Sequence, residues 1–241
     1  MGPLGRFLEI SVYAPAIRES LAFYESLGFV QASVGETWPH PYAVVTDGRL
    51  FIGLHGAQIP SPTLTFTLPN LRAGLERLEA QGIEFDSLEL GDDVFNRATF
   101  CDPSGQCVQL LEARTFSPPQ LEHDVPTTCG YFAEYGIPVR DAHAPREIWE
   151  RLGFVAMDET QEPFSRVELT SDHLNLALYR TRALRRPVLT FESADMRERL
   201  SRLRERGLEV SDEMPDALDE QTNGVLIAPE GTRLLLLQEK P

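Results

Sequence analysis

Phe23-Tyr-Glu-Ser-Leu-Gly-Phe29 returns as Ile148-Trp-Glu-Arg-Leu-Gly-Phe154 (148 − 23 = 125 residues later), and that return decides how the chain is organised. Working outward, Leu64-Thr-Phe66 recurs as Leu189-Thr-Phe191, and Leu71 to Phe85 matches Met196 to Val210, both at the same spacing. Leu50-Phe-Ile-Gly-Leu-His55 matches Leu174-Asn-Leu-Ala-Leu-Tyr179, and Pro103-Ser-Gly-Gln106 matches Pro229-Glu-Gly-Thr232, each within one residue of it. Order is kept and drift is minimal, which duplication explains better than chance. A weaker repeat lies inside each half. Gly28 and Gly82 each follow a helical pattern, as do Gly153 and Gly207. Four modules result, starting near residues 7, 61, 132 and 186.

Each module reads as β-α-β-β-β. Phe7-Leu-Glu-Ile-Ser-Val-Tyr13 alternates as a half-buried strand does. Ile17, Leu21 and Tyr24 recur at helical spacing, and Gly28 suits the left-handed residue just past a helix. Residues 29–34, 42–46 and 49–55 read as strands, with Asp47-Gly48 as a hairpin turn. Module two has strand 63–68, a helix capped by Asn70 with Leu71, Leu75 and Leu78 as its buried stripe, and strands near 84–89, 95–101 and 106–112. Asp102-Pro-Ser-Gly105 is a turn. Thr115 to Thr128, with Ser117-Pro-Pro119 and Pro126, reads as a linker between domains at 1–114 and 129–241. The fold class is α+β, with modules one and two, and three and four, each closing a cleft.

A net charge of −15 on 241 residues disfavours nucleic-acid and membrane partners. The Arg197 to Arg206 cluster reads as a solvated helix face. No apolar run approaches the ~18 residues of a membrane helix, and no charged segment followed by an apolar run opens the sequence. The expected compartment is the cytoplasm. Cys101, Cys107 and Cys129 fit no zinc pattern and read as reduced, packed thiols.

Four such modules, with Phe-Tyr-x-x-Leu-Gly-Phe in a helix and Asp-Pro-x-Gly before a last strand, resemble the vicinal oxygen chelate superfamily of glyoxalase I, bleomycin-resistance proteins and extradiol dioxygenases. The resemblance covers about residues 7–113 and 131–238. It implies paired modules curling their sheets round a cleft, where enzymatic members hold a divalent metal through His, Glu or Gln of the first and last strands of each module. The matching positions here are Glu9, Gly53, Thr63 and Gln109 in the first half, and Glu134, Ala177, Val188 and Leu235 in the second. In the second half one carboxylate among apolar side chains cannot hold a catalytic ion, which takes about three protein ligands, and in the first a carboxylate, an amide oxygen and a hydroxyl are weak ligands for zinc, nickel or iron. No metal is therefore expected. The alternative is an atypical divalent site at Glu9, His55 and Gln109, with His55 otherwise an ordinary strand-end histidine.

The resemblance together with the missing triad points to a glyoxalase- or bleomycin-resistance-like protein, a monomer or homodimer, binding a small apolar or aromatic molecule. The alternative is a lyase, isomerase or dioxygenase, metal-dependent or using Glu9 as a base. Glu9 and Glu134 read either as cleft carboxylates or as acids paired with a neighbouring arginine. Trp38-Pro-His-Pro-Tyr42 is an aromatic loop whose Trp38 and Tyr42 suit a cleft wall, with His40 facing solvent. The candidate ligand-binding set is Glu9, Thr63, Gln109, His55, Trp38, Tyr42 and Glu134, with Glu9 the candidate catalytic residue. The first half, holding more polar groups at these positions, is the expected site.

Overall fold

The structure, a computed structural model, describes residues 2–34, 38–113 and 127–239. Residues 115–126 of the expected linker lie outside these. Two mixed sheets hold the strands. The first, in spatial order β2-β3-β4-β1-β5-β8-β7-β6, comprises β1 (Arg6–Tyr13), β2 (Val30–Ala32), β3 (Tyr42–Thr46), β4 (Phe51–His55), β5 (Thr63–Leu68), β6 (Ser87–Glu89), β7 (Arg97–Cys101) and β8 (Cys107–Glu112). The second, in the order β10-β11-β12-β9-β13-β15-β14, comprises β9 (Tyr131–Pro138), β10 (Val155–Thr160), β11 (Arg166–Thr170), β12 (Asn175–Tyr179), β13 (Val188–Ser193), β14 (Gly224–Ile227) and β15 (Arg233–Gln238). In each, the opening strands of two modules pair antiparallel at the centre: β1 with β5, and β9 with β13. Strand 63–68 thus pairs within its own half. The fourth module departs from the pattern. After its helix only β14 and β15 form, and the place of the first strand is held by a single bridge between Ser211 and Val225.

The helices are α1 (Ile17–Ser26), α2 (Leu71–Ala80), α3 (His143–Arg151) and α4 (Met196–Glu205). Asn70 caps α2 by accepting from the Ala73 N–H at 3.0 Å. All four helices end in one hydrogen-bonded motif, and this explains the recurring glycine. At α1 the Gly28 N–H bonds the Glu25 carbonyl and the Phe29 N–H reaches back to Tyr24; Gly82, Gly153 and Gly207 do likewise. The motif needs positive φ at the glycine, observed as 98° at Gly28 and 97° at Gly153.

One core spans both halves. Leu4, Tyr24, Phe29 and Leu64 of the first half share a buried cluster with Tyr135, Trp149, Phe154 and Phe191 of the second. The polar contacts across it are reciprocal. Trp149 of α3 donates its indole N–H to Asp102 at 2.9 Å, in the first half's last turn. Tyr24 of α1 donates to Glu230 at 2.7 Å, in the second half's last turn. Tyr135 also donates to Gln106 at 2.8 Å. Thr128, placed in the linker by sequence, donates its N–H to the Leu27 carbonyl.

The cysteines require a correction. Cys101 and Cys107 face each other across β7 and β8 and form a disulfide. The tight turn between them brings two positions six residues apart into register, which spacing alone did not suggest. Cys129 is free and buried, and burial pushes its thiol up to about 12.

Candidate functional site

The open face of the first sheet is built by a break in alternation. Strict alternation would put Phe7 and Glu9 on the same face. A bulge makes Leu8 an extra residue, so Phe7 pairs with Phe66 and Glu9 with Thr65. Phe7 therefore packs edge-on against Phe66, ring centroids 5.3 Å apart. Glu9 turns to the opposite face, away from the helices. The second half repeats the device: Phe132 pairs with Phe191, Glu134 with Thr190, and Ala133 is the extra residue.

Glu9 is 1% exposed. It accepts from Ser11 Oγ at 2.7 Å, from Tyr42 Oη at 2.5 Å and from His55 Nε2 at 3.1 Å. Bonds to a charged acceptor are worth about 1.5–3 kcal/mol each and offset the cost of burying a carboxylate. Space comes from Gly53, where a Cβ would lie 2.1 Å from Glu9 Oε1. His55 does end β4, but it is equally buried and bonded to Glu9, so it is not an ordinary strand-end histidine. Its second nitrogen, Nδ1, lies 3.0 Å from His40 Nε2. His40 is half-buried rather than solvent-facing, because Trp38 packs against both imidazoles at 5.5 and 5.1 Å. Trp38 also reaches Phe95 across the face, at 5.7 Å. Burial, with the neighbouring His55 and Arg97, lowers the pKa of His40. Burial and the Glu9 carboxylate hold the Tyr42 phenol protonated.

Trp38, Tyr42, His55 and Glu9 thus meet in one cluster. Thr63 does not join it: it pairs with Ser11, and its hydroxyl donates to the Pro60 carbonyl at 2.7 Å. The hydroxyl that enters the network is that of Thr65, 2.7 Å from Ser11 Oγ. Gln109 lies one strand beyond Thr65 and lines an open groove of about 700 Å³ with Ile59, Leu88, Arg97 and Thr99. Its amide makes no hydrogen bond among the described residues. Sequence reasoning missed Ser11, Thr65, Phe95 and the His40 link. Alternation along β1 and β5 carried the signal for the two hydroxyls; nothing local carried the other two.

The second half fills the same face with its own side chains. Glu134 is 7% exposed and accepts from Tyr179 Oη at 2.6 Å and Arg166 Nη1 at 3.3 Å, so it is both a cleft carboxylate and paired with an arginine. Burial raises its pKa, and Arg166 and Tyr179 oppose that. Around it Ala177, Val188 and Leu235 join Phe164, Leu184 and Met214 in a second apolar cluster. The correspondence is position by position: Phe164 stands where the first half has His40, Arg166 where it has Tyr42, and Tyr179 where it has His55. The close approach has moved to Gly136, where a Cβ would meet the Tyr179 ring at 2.4 Å.

No family model matches the chain, and no curated protein matches it. Solved structures do. A catechol 2,3-dioxygenase superposes with a TM-score of 0.62 at 15% identity, covering 98% of this chain and 88% of that one. A variant of homoprotocatechuate 2,3-dioxygenase from B. fuscum gives 0.65 at 13%, covering 100% and 72%. The 2,2',3-trihydroxybiphenyl 1,2-dioxygenase from Sphingomonas wittichii gives 0.60 at 17%, covering 97% and 89%. At such identities the likeness concerns the backbone, and with paired modules in two mixed sheets the chain has the two-domain fold of the vicinal oxygen chelate superfamily, in the arrangement of the extradiol dioxygenases.

Proposed function

We propose that the chain binds a small, flat, largely apolar molecule with a polar edge in the groove of its first half, without the divalent metal that the fold implies. The observation that carries this is the contrast between two equivalent faces. In one, Leu184, Met214 and Phe164 fill the space round the carboxylate and leave a groove of about 460 Å³ edged by Glu162, Arg166, Glu192 and Asp219; the other keeps a groove of about 700 Å³ with apolar Ile59 and Leu88 and the uncommitted amide of Gln109. Few convergent polar groups on apolar walls are what an orienting site needs.

The donor sets do not fit a divalent ion. Glu134 faces a guanidinium where a metal would sit, among apolar side chains. Both nitrogens of His55 are engaged, and Glu9 already accepts three hydrogen bonds. Gln109 is two strands from Glu9, roughly 10 Å at the usual strand spacing. Among the described residues no three His, Cys, Asp or Glu groups cluster as ligands. A small-molecule partner, a cytoplasmic location and the absence of nucleic-acid or membrane partners belong to the same reading. So does a monomer or homodimer. No helix among the described residues is long and apolar enough to cross a membrane.

The test is a thermal-shift screen of flat aromatic compounds, followed by titration of Gln109→Ala, Trp38→Ala and Glu134→Ala variants, with elemental analysis of protein purified without chelator. The first two should weaken binding by about 1 kcal/mol or more, as losing a hydrogen bond or an aromatic wall does. Loss on Glu134→Ala alone, or about one transition metal per chain, would refute the reading.

A further inference from the structure

Cys101 and Cys107 close a hairpin that the chain builds twice. Along the repeat, Ile227 and Arg233 stand in their places (227 − 101 = 126 and 233 − 107 = 126), paired in the same register between β14 and β15. The two turns match bond for bond. In the first, the Asp102 N–H bonds the Gln106 carbonyl at 2.9 Å and the Gly105 N–H bonds that of Asp102 at 2.9 Å. In the second, the Ala228 N–H bonds the Thr232 carbonyl at 2.9 Å and the Gly231 N–H bonds that of Ala228 at 2.8 Å. The second half therefore holds this hairpin with no sulfur bridge. The first-half turn is held more firmly still, because the Asp102 carboxylate accepts from the Ser104 and Gln106 N–H groups and from Trp149. The disulfide spans a sequence separation of only 6, and short loops gain least from being closed. Nor is it shielded: Cys101 is exposed, Cys107 is half-buried, and Cys101 lines the first-half groove beside Thr99 and Gln109.

We propose that the Cys101–Cys107 bond is a reversible thiol-exchange site, opened by small soluble thiols that reach Cys101 along the groove. The thiolate of the small thiol attacks Cys101 Sγ. The S–S bond breaks, and its electron pair leaves on Cys107 Sγ, which takes a proton from water. A second small thiol attacks the sulfur of the first in the mixed disulfide, which frees Cys101 as a thiol and releases the small molecule as its own disulfide. The protein is reduced by two electrons and the small thiol is oxidised. Cys101 is the sulfur attacked because access decides between the two, and it is the one on the groove wall. The hydrogen bonds of the turn keep β7 and β8 in register once the bond is open, so the groove exists in a bridged and a dithiol state on one fold.

The test treats native protein with dithiothreitol, traps thiols with iodoacetamide and weighs the intact chain. Cys101 and Cys107 should be labelled and buried Cys129 should not, at a rate proportional to dithiothreitol concentration and with an unchanged far-UV circular dichroism spectrum. Oxidised dithiothreitol should close the bond again. A rate independent of dithiothreitol, or labelling of Cys129 with the pair, means that the bond is reached only through unfolding and overturns the proposal. So does a bond that survives excess dithiothreitol, or a spectrum lost on reduction. In Cys107→Ser and Cys101→Ser variants, 2-hydroxyethyl disulfide reads each remaining thiol. Cys101 should form its mixed disulfide roughly tenfold faster than Cys107, since exchange follows access; equal rates, or a faster Cys107, refute the groove as the route. The double variant Cys101→Ile with Cys107→Arg, which copies the second half, should keep the native spectrum, and its failure to fold would show the bridge to be structural. None of these readouts needs a groove ligand, so they stand apart from the titrations that test the groove as a binding site.

Discussion

Replacing Gly53 by alanine tests the architecture of the buried carboxylate directly. The new Cβ would lie 2.1 Å from Glu9 Oε1, 2.4 Å from Cδ and 2.5 Å from Oε2, so the carboxylate must move. Overpacking a tight site costs about 1–3 kcal/mol. Losing even one of the three bonds from Ser11, Tyr42 and His55 adds about 1.5–3 kcal/mol, because the acceptor is charged and cannot reach water. A loss of about 3 kcal/mol lies just above the low end of the two together, about 2.5 kcal/mol, and for a chain of this size it lowers the melting temperature by roughly 6–12 °C. The assay is urea unfolding of Gly53→Ala, Glu9→Ala and the double variant. If the clash with Glu9 is the cause, Gly53→Ala costs almost nothing once Glu9 is gone, and the cycle returns a coupling near 3 kcal/mol. Single effects that add to within about 0.5 kcal/mol would refute the reasoning.

Three further outcomes follow from the same contacts. Burial raises the pKa of Glu134, so the folded state holds its proton to higher pH than the unfolded chain; stability from this group falls as pH rises from about 4.3 through the folded value, and Glu134→Gln should flatten that part of the curve in urea melts between pH 5 and 8. Denatured but unreduced protein should yield one reactive thiol, and native protein at pH 8 none within minutes, since Cys129 is buried with its pKa near 12; three thiols on denaturation would disprove the Cys101–Cys107 bond. Trp149→Phe leaves one oxygen of buried Asp102 without its 2.9 Å donor and should cost about 1–3 kcal/mol on chemical denaturation.

Much of the fold was legible because the helix-ending glycines and alternating strands are local and occur four times. The fourth module escaped because Ser211 makes one bridge instead of a strand. The site was legible only in part. Glu9, Tyr42, His55 and Trp38 can be picked from the sequence and do meet, whereas Thr63 bonds the Pro60 carbonyl and the hydroxyl beside Ser11 is that of Thr65, two residues further along the same face. The reversal at Leu8 has no signature in residue type. The link from His40 to His55 joins a loop to a strand, and nothing in a sequence between two prolines declares which way an imidazole turns. The apolar filling of the second half was foreshadowed by Val188 and Leu235, whereas Leu184 and Met214 came from loops whose path was unread.

The reciprocal seating of Trp149 on Asp102 and of Tyr24 on Glu230 has a consequence for how the chain is made. Tyr24 waits for a partner 206 positions further along, and Asp102 for one 47 positions on. An emerging first half therefore carries a buried-face tyrosine and a last turn with no donor until most of the chain has left the ribosome. Contacts so distant in sequence slow the final collapse. The two halves then gain their shared interior in one late step, and a nascent chain stalled before residue 230 would expose a wide apolar surface to whatever chaperones attend it.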